Sequence, residues 1–250
     1  MSTVWVFGSR GSIGSILCES LLERGDTVIA FTSSEVMTPN QFLDSTLGSR
    51  FVKRQCDLSS LGCLEKLIEL SNDQNYSPDH IIFLARGVAP LDSIREDETW
   101  GEIAVNDIMI SLVTPIRIAT KLVSKEESNL KTITMASSQY ALVSQDPNLY
   151  DNPASSVSTI YSAIRGGIIS ATRSLAVNAA KKGIRVNSLV LGGIEETTNQ
   201  ALKSEIENRL PSGEMLSARN ACDWLMFLAS EKSFGAVGSP IIVDNGWTAI

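Results

Sequence analysis

The sequence predicts an α/β fold: a parallel sheet of about seven strands, doubly wound with helices on both faces, in one domain over residues 1–250. Two observations predict it. Short apolar runs alternate with longer segments whose apolar residues recur at helical spacing, from the first residues to the last. No Pro/Gly/Ser-rich linker, composition shift or internal repeat divides the chain, and 250 residues with 43% apolar side chains suffice for one large core.

Val4–Phe7 is an apolar run before glycines and reads as a buried strand. Residues 13–24 carry apolar side chains at 13, 16, 17, 21 and 22, one face of a helix that Gly25-Asp26 stops. Thr27–Thr32 is a second strand, Phe51–Asp57 a weaker third, and Leu61–Leu70 a helix. Asp79–Ala85 reads as a buried strand whose His80 is expected to be a partly exposed start. A long helix follows over Trp100–Val123, with Pro115 as a candidate kink. Lys131–Ala136 is a strand, Ile160–Lys182 a helix closed by Gly183, and Ile184–Leu191 a strand. Ala221–Ser230 is a helix and Ser239–Val243 the last strand. Segments 34–50, 139–158 and 195–217 are weakly patterned. The last two follow strands, on the edge where open α/β sheets bind ligands. Residues 195–217 are the expected substrate lid.

Composition excludes several functions. With 21 basic and 28 acidic residues the net charge is −7, unfavourable for wrapping nucleic acid or lying on an anionic membrane. No apolar run reaches the length of a membrane helix, and the N-terminus reads without a secretory signal. Cys18, Cys56, Cys63 and Cys222 form no CxxC pair and fit a reduced, cytoplasmic protein. A single histidine argues against His-based metal chemistry, and no metal is expected.

Between the first strand and first helix lies Gly8-Ser9-Arg10-Gly11-Ser12-Ile13-Gly14. Small residues there let backbone approach a pyrophosphate, and the helix N-terminus offers N–H donors. A carboxylate ending the second strand would bind the adenosine ribose of NAD; Thr32-Ser33 stand there instead. Missing negative charge admits a 2′-phosphate, which Arg10 can pair, so NADP is the expected cofactor with NAD as the alternative. Asp57 either accepts from the adenine amino group or serves as a helix-cap neighbour.

Tyr161 and Arg165 stand four residues apart, on one helix face. A nearby cation favours the charged form of a phenol, and such a tyrosine can exchange a proton at a carbonyl or alcohol centre. Ser138, just past the preceding strand, is placed to hold the substrate oxygen.

Together with Asp57-Leu58, Asn106, residues 182–188 and the ending 238–246, these motifs resemble the short-chain dehydrogenase/reductase family over essentially the full length. The resemblance implies a Rossmann-type fold, a nicotinamide cofactor, and hydride transfer between it and a ketone or secondary alcohol. It implies that Tyr161 is the general acid/base, that Ser138 orients the substrate oxygen, and that Asn106 holds a helix kink and a relay water. Arg165 takes the position of the family's lysine. Ala85, Arg86 and Gly87 would line the cofactor after the fourth strand, and Gly192, Gly193 and Ile194 would lie beside the nicotinamide. Homodimers or homotetramers are usual in the family.

The interval from Ser138 to Tyr161, with its Tyr140, Tyr150 and Asp151, is also similar to that of oxidoreductases in legionaminic-acid and other bacterial surface-sugar pathways. That suggests a sugar-derived substrate. Four departures from the family pattern stand out: Arg165 for lysine, Ser12 for the middle glycine, Phe83-Leu84-Ala85-Arg86 for the usual polar run, and Leu191 for proline. Arg86 and Arg165 suit an anionic group, or alternatively pair with local carboxylates. The alternatives are a non-catalytic dinucleotide-binding subunit or sensor, and a 3-oxoacyl-thioester reductase. Trp224, Trp247, Phe227 and Phe234 are expected in the C-terminal core or a subunit contact.

Overall fold

A computed structural model describes residues 1–33, 48–60, 62–87, 99–149 and 158–250. Seven strands, β1 (Thr3–Phe7), β2 (Thr27–Thr32), β3 (Phe51–Gln55), β4 (His80–Phe83), β5 (Thr132–Ser138), β6 (Arg185–Leu191) and β7 (Pro240–Val243), form one sheet in the order β3-β2-β1-β4-β5-β6-β7. Every pairing is parallel. This is the Rossmann-type doubly wound order, and it reverses between β1 and β4.

Period-two alternation sorts side chains between two cores. From β1, Val4 and Val6 face α1 (Ser12–Glu23) and α7 (Ala218–Leu228), meeting Leu17, Leu21, Cys222 and Leu225. Trp5 and Phe7 face the other way, toward α2 (Cys63–Leu70), α4 (Thr114–Ser124) and α5 (Thr159–Ala180). There Phe7 stacks between Phe31 and Phe83, at centroid distances of 4.3 and 4.8 Å. Such fully buried side chains each contribute about 1.5–3 kcal/mol.

The long helix differs from its expected form. It runs as α3 (Thr99–Ile108), widens into a π turn over Met109–Val113, and resumes as α4. The break precedes Pro115, which sits in the first turn of α4. Proline cannot donate to the carbonyl four residues back, and Thr114 N–H bonds to Met109 O, five residues back. By length and composition Gly101–Ser124 would pass for a membrane span; Ile118, Ala119 and Leu122 are instead buried against the sheet. The acidic run at 95–98, whose charge suits the first turn of a helix, lies outside the described residues. Phe234 is not a core residue: it is 91% exposed.

His80 is buried rather than partly exposed, with Nδ1 2.8 Å from Thr132 Oγ1. Burial pushes its pKa down to about 4. Between its ordinary value and 4 the unfolded chain binds the proton and the folded one does not, so stability falls as pH drops through that window. The lost contribution is on the order of 3 kcal/mol. Urea unfolding at pH 7 and pH 4.5 should show a smaller decline for His80→Gln than for the native chain.

Candidate active site

Residues following the strands' C-terminal ends converge on one cleft of about 1300 Å³. Its first wall is the glycine turn. Gly8 has φ +87°, and a Cβ there would lie 2.6 Å from Ala85 N. A Cβ on Gly14 would lie 2.2 Å from Gly8 O, so backbone packs on backbone. Gly11 caps α1 without a side-chain hydrogen bond, leaving first-turn amides for a ligand. Arg10, Gly11, Ser12, Ile13 and Gly14 line the cleft. Ser9 does not; its buried hydroxyl donates to Phe31 O at 3.1 Å and ties the turn to β2.

The ends of β2 and β3 form the next wall, with Thr32, Ser33, Cys56, Asp57 and Leu58. Asp57 Oδ1 accepts from Ser59 N at 2.9 Å and Ser59 Oγ at 2.7 Å, while the residue stays exposed on the cleft. Leu58 is buried and its carbonyl accepts from Thr114 Oγ1 at 2.7 Å.

At the far end Ser138, Tyr161 and Arg165 line the same cleft. Ser138 ends β5, and its hydroxyl accepts from Tyr140 N at 3.3 Å. Tyr161 stands in the first turn of α5, capped by Ser158, whose hydroxyl accepts from Tyr161 N at 3.2 Å. Ser158 N in turn donates to Gln145 Oε1 at 2.7 Å. Buried Gln145 thus ties the long interval to the start of the tyrosine helix, a role that nothing in its sequence neighbourhood signals. Tyr150, Asp151, Asn152 and Pro153 lie outside the described residues.

The Arg165 guanidinium stacks 4.7 Å from the centre of the Tyr161 ring. Arg165 is 5% exposed; its Nη1 donates to Ala136 O at 3.4 Å, its carbonyl accepts from Ser137 Oγ at 2.9 Å, and its buried Nε has no partner among the described residues. Gly192 and Gly193 line the cleft with Ile194. A Cβ on Gly192 would lie 2.9 Å from Asp244 Cα, and one on Gly193 2.8 Å from Met215 Cε.

Asn106 is not part of this grouping. It is exposed on α3 and does not line the cleft; the next residue, Asp107, turns inward. Asp107 Oδ1 accepts from Gly87 N at 2.8 Å and from Ser111 Oγ at 2.7 Å, both residues being buried. The kink expected at Asn106 is the π turn at 109–113, which points Ile110 into the cleft. Ala85 and Arg86 line the cleft, whereas Gly87 lies behind it.

Residues 195–217 contain α6 (Gln200–Glu207) and bring Thr197, Thr198, Asn199, Leu202 and Glu205 to the cleft. Arg209 reaches across to Asp146 at 2.5 Å.

Comparison with known proteins follows the same outline. The 3-oxoacyl-[acyl-carrier-protein] reductase FabG of Vibrio harveyi is 24% identical over 247 residues, 96% of this chain and 95% of that protein. Post-translational flagellin modification protein A of Campylobacter coli is 24% identical over 257 residues, 98% of this chain and 97% of that protein. A short-chain type dehydrogenase/reductase of Sinorhizobium fredii is 25% identical, and the chain spans 43% of its length. Among solved structures, 4-hydroxyisoleucine dehydrogenase complexed with NADH has a TM-score of 0.81 at 22% identity over 100% of both chains. A short chain dehydrogenase of Leptospira borgpetersenii with bound NAD+ has a TM-score of 0.77 at 25% identity, covering 99% and 92%. The family model described as Enoyl-(Acyl carrier protein) reductase matches residues 8–248. It begins at the glycine whose left-handed turn opens the cleft and ends beyond the last strand: the chain belongs to the short-chain dehydrogenase/reductase family.

Proposed function

We propose that this oxidoreductase transfers hydride between a nicotinamide dinucleotide and a ketone or secondary alcohol. The observation that carries the reading is one cleft joining the glycine turn to Ser138, Tyr161 and Arg165. The residues present fit a dinucleotide. A Cβ at Gly8 or Gly14 would clash with the backbone that shapes the phosphate cradle, and the buried Arg165 Nε lacks an acceptor among the described residues. The cofactor, when bound, supplies or takes the hydride. Tyr161 gives its hydroxyl proton to the carbonyl oxygen in reduction and takes one from the alcohol in oxidation. Ser138 holds that oxygen. Arg165 keeps a permanent positive charge over the phenol ring, and would stand at the nicotinamide ribose as the family's lysine does.

NADP is the preferred form in this reading, because Thr32 and Ser33 put no carboxylate at the end of β2 and Arg10 stands on the same wall. The solved neighbours hold NADH and NAD+, which favours the dinucleotide class without choosing between the two. The substrate is sugar-derived: Tyr140, Asn199, Thr197, Thr198 and Glu205 offer a hydroxyl-rich molecule many polar partners. Arg86 suits an anionic substituent. The FabG relative favours a second reading, reduction of a 3-oxoacyl thioester. The buried free cysteines suit a cytoplasmic protein, and exposed Trp224, Phe227 and Ile242 suit a homo-oligomer. The lid role of residues 195–217 belongs to the same proposal.

Titration of the purified protein with NADPH, NADP+, NADH and NAD+ tests the cofactor. Tighter binding of the phosphorylated pair is expected; no binding of any would overturn the reading. Turnover of keto-sugars against acetoacetyl-CoA then separates the two substrates.

A further inference from the structure

The segment 84–87 links the phosphate turn to the long helix. Its first residue continues the sheet, Leu84 N donating to Phe7 O at 2.8 Å. Its second is in backbone contact with the turn, since a Cβ on Gly8 would lie 2.6 Å from Ala85 N and 2.9 Å from Ala85 Cα. Arg86 then projects into the cleft, exposed and without an ion pair among the described residues. The fourth residue, Gly87, sits against Asp107: a Cβ there would lie 2.5 Å from Asp107 Oδ1 and 2.7 Å from Asp107 Cβ.

We infer that Asp107, seconded by Ser111, is a positioning residue for dinucleotide binding, acting through Gly87 on the floor of the phosphate cradle and on Arg86. This rests on the proposed dinucleotide-dependent activity.

Three observations carry it. Asp107 is 7% exposed, yet its Oδ1 serves two donors, Gly87 N–H at 2.8 Å and Ser111 O–H at 2.7 Å. Ser111 Oγ lies 3.3 Å from the same Gly87 N, so one amide is held by both side chains. The π turn that includes Ser111 starts two residues after Asp107, so the widened helix and the buried carboxylate form one local structure. Gly8 and Gly87 therefore bracket the segment, and neither end can move without displacing a neighbour. An acidic group buried on a helix, serving the amide of a loop rather than a ligand, acts on binding only through that loop. The position of Ala85 under Gly8 and the direction of Arg86 are what it controls.

The test is dinucleotide affinity per folded molecule, with thermal unfolding measured in parallel on the full chain. Asp107→Leu leaves the Gly87 amide buried without its charged acceptor, and about tenfold or greater weakening for the preferred dinucleotide is expected. Asp107→Asn keeps an acceptor oxygen at the same place and should restore affinity to within about threefold of the native value. A merely structural role predicts a lowered melting temperature with unchanged affinity in the folded fraction of Asp107→Leu, and that result overturns the inference. If Asp107→Leu does not fold, Ser111→Ala decides: two- to fivefold weaker binding supports the inference, unchanged binding overturns it. Failure of the native chain to bind any of the four dinucleotides removes the proposed activity and this inference together. Native binding with unaffected variants removes the inference alone.

Discussion

Replacing Tyr161 with phenylalanine is expected to lower turnover by about 10²–10⁴-fold, the usual contribution of a positioned acid/base. The ring remains, and so does its contact with the Arg165 guanidinium at 4.7 Å. Only the hydroxyl is lost, so dinucleotide affinity should stay within about threefold. Steady-state rates with nucleotide titrations on the same preparation separate the two effects. A parallel collapse of binding would assign the phenol to the cofactor rather than to proton exchange. Undiminished turnover would remove Tyr161 as the acid/base, whereas a native chain that binds dinucleotide without turnover would leave the non-catalytic reading as the better one.

Among the described glycines, Gly14→Ala brings the added methyl group into the closest approach and should be strongly damaging. The added carbon would lie 2.2 Å from Gly8 O and 2.9 Å from Ser9 Cα, both backbone atoms with no rotamer to yield. Helix α1 or the turn must move, at a cost of about 1–3 kcal/mol of stability. The cradle amides move with it, and dinucleotide affinity is expected to fall about 100-fold or more, as misplaced binding groups do. Gly11→Ala is the internal control. Its nearest neighbour, Gly8 O, lies at 3.5 Å and its φ of −68° suits any residue. Urea unfolding and nucleotide titration of both variants should separate a steric cradle from a general intolerance of substitution near α1. Equal effects from the two would refute the close-packing account.

The fold was legible because buried parallel strands and amphipathic helices differ in period. Val4–Phe7 before Gly8, and Thr27–Thr32 after Gly25, could be placed to within a residue or two. The glycine turn was legible for a different reason: a close backbone approach excludes side chains, and that exclusion is written as glycine. Ser138 and Tyr161 could be placed on a common edge because each follows or faces the end of β5. What was illegible depended on facing rather than spacing. Asn106 and Asp107 are adjacent, and the π turn that fixes their rotation relative to the sheet comes after both. Pro115 was the available signal, since its missing N–H disturbs the turn before it. His80 was misread because its partner, Thr132, is 52 residues away. Ser9 looked like part of a phosphate loop and is a tie to β2.

The cations that line the cleft, Arg10, Arg86 and Arg165, are all guanidinium groups, and no lysine is among its described lining residues. A guanidinium does not lose its proton at any pH the folded chain would meet. It also does not condense with a carbonyl compound as a primary amine does. A carbonyl compound bound against such a wall would meet no primary amine there with which to form an imine. The same substitution removes the acceptor on which acetyl transfer would act, so charge beside Tyr161 cannot be erased by lysine acylation.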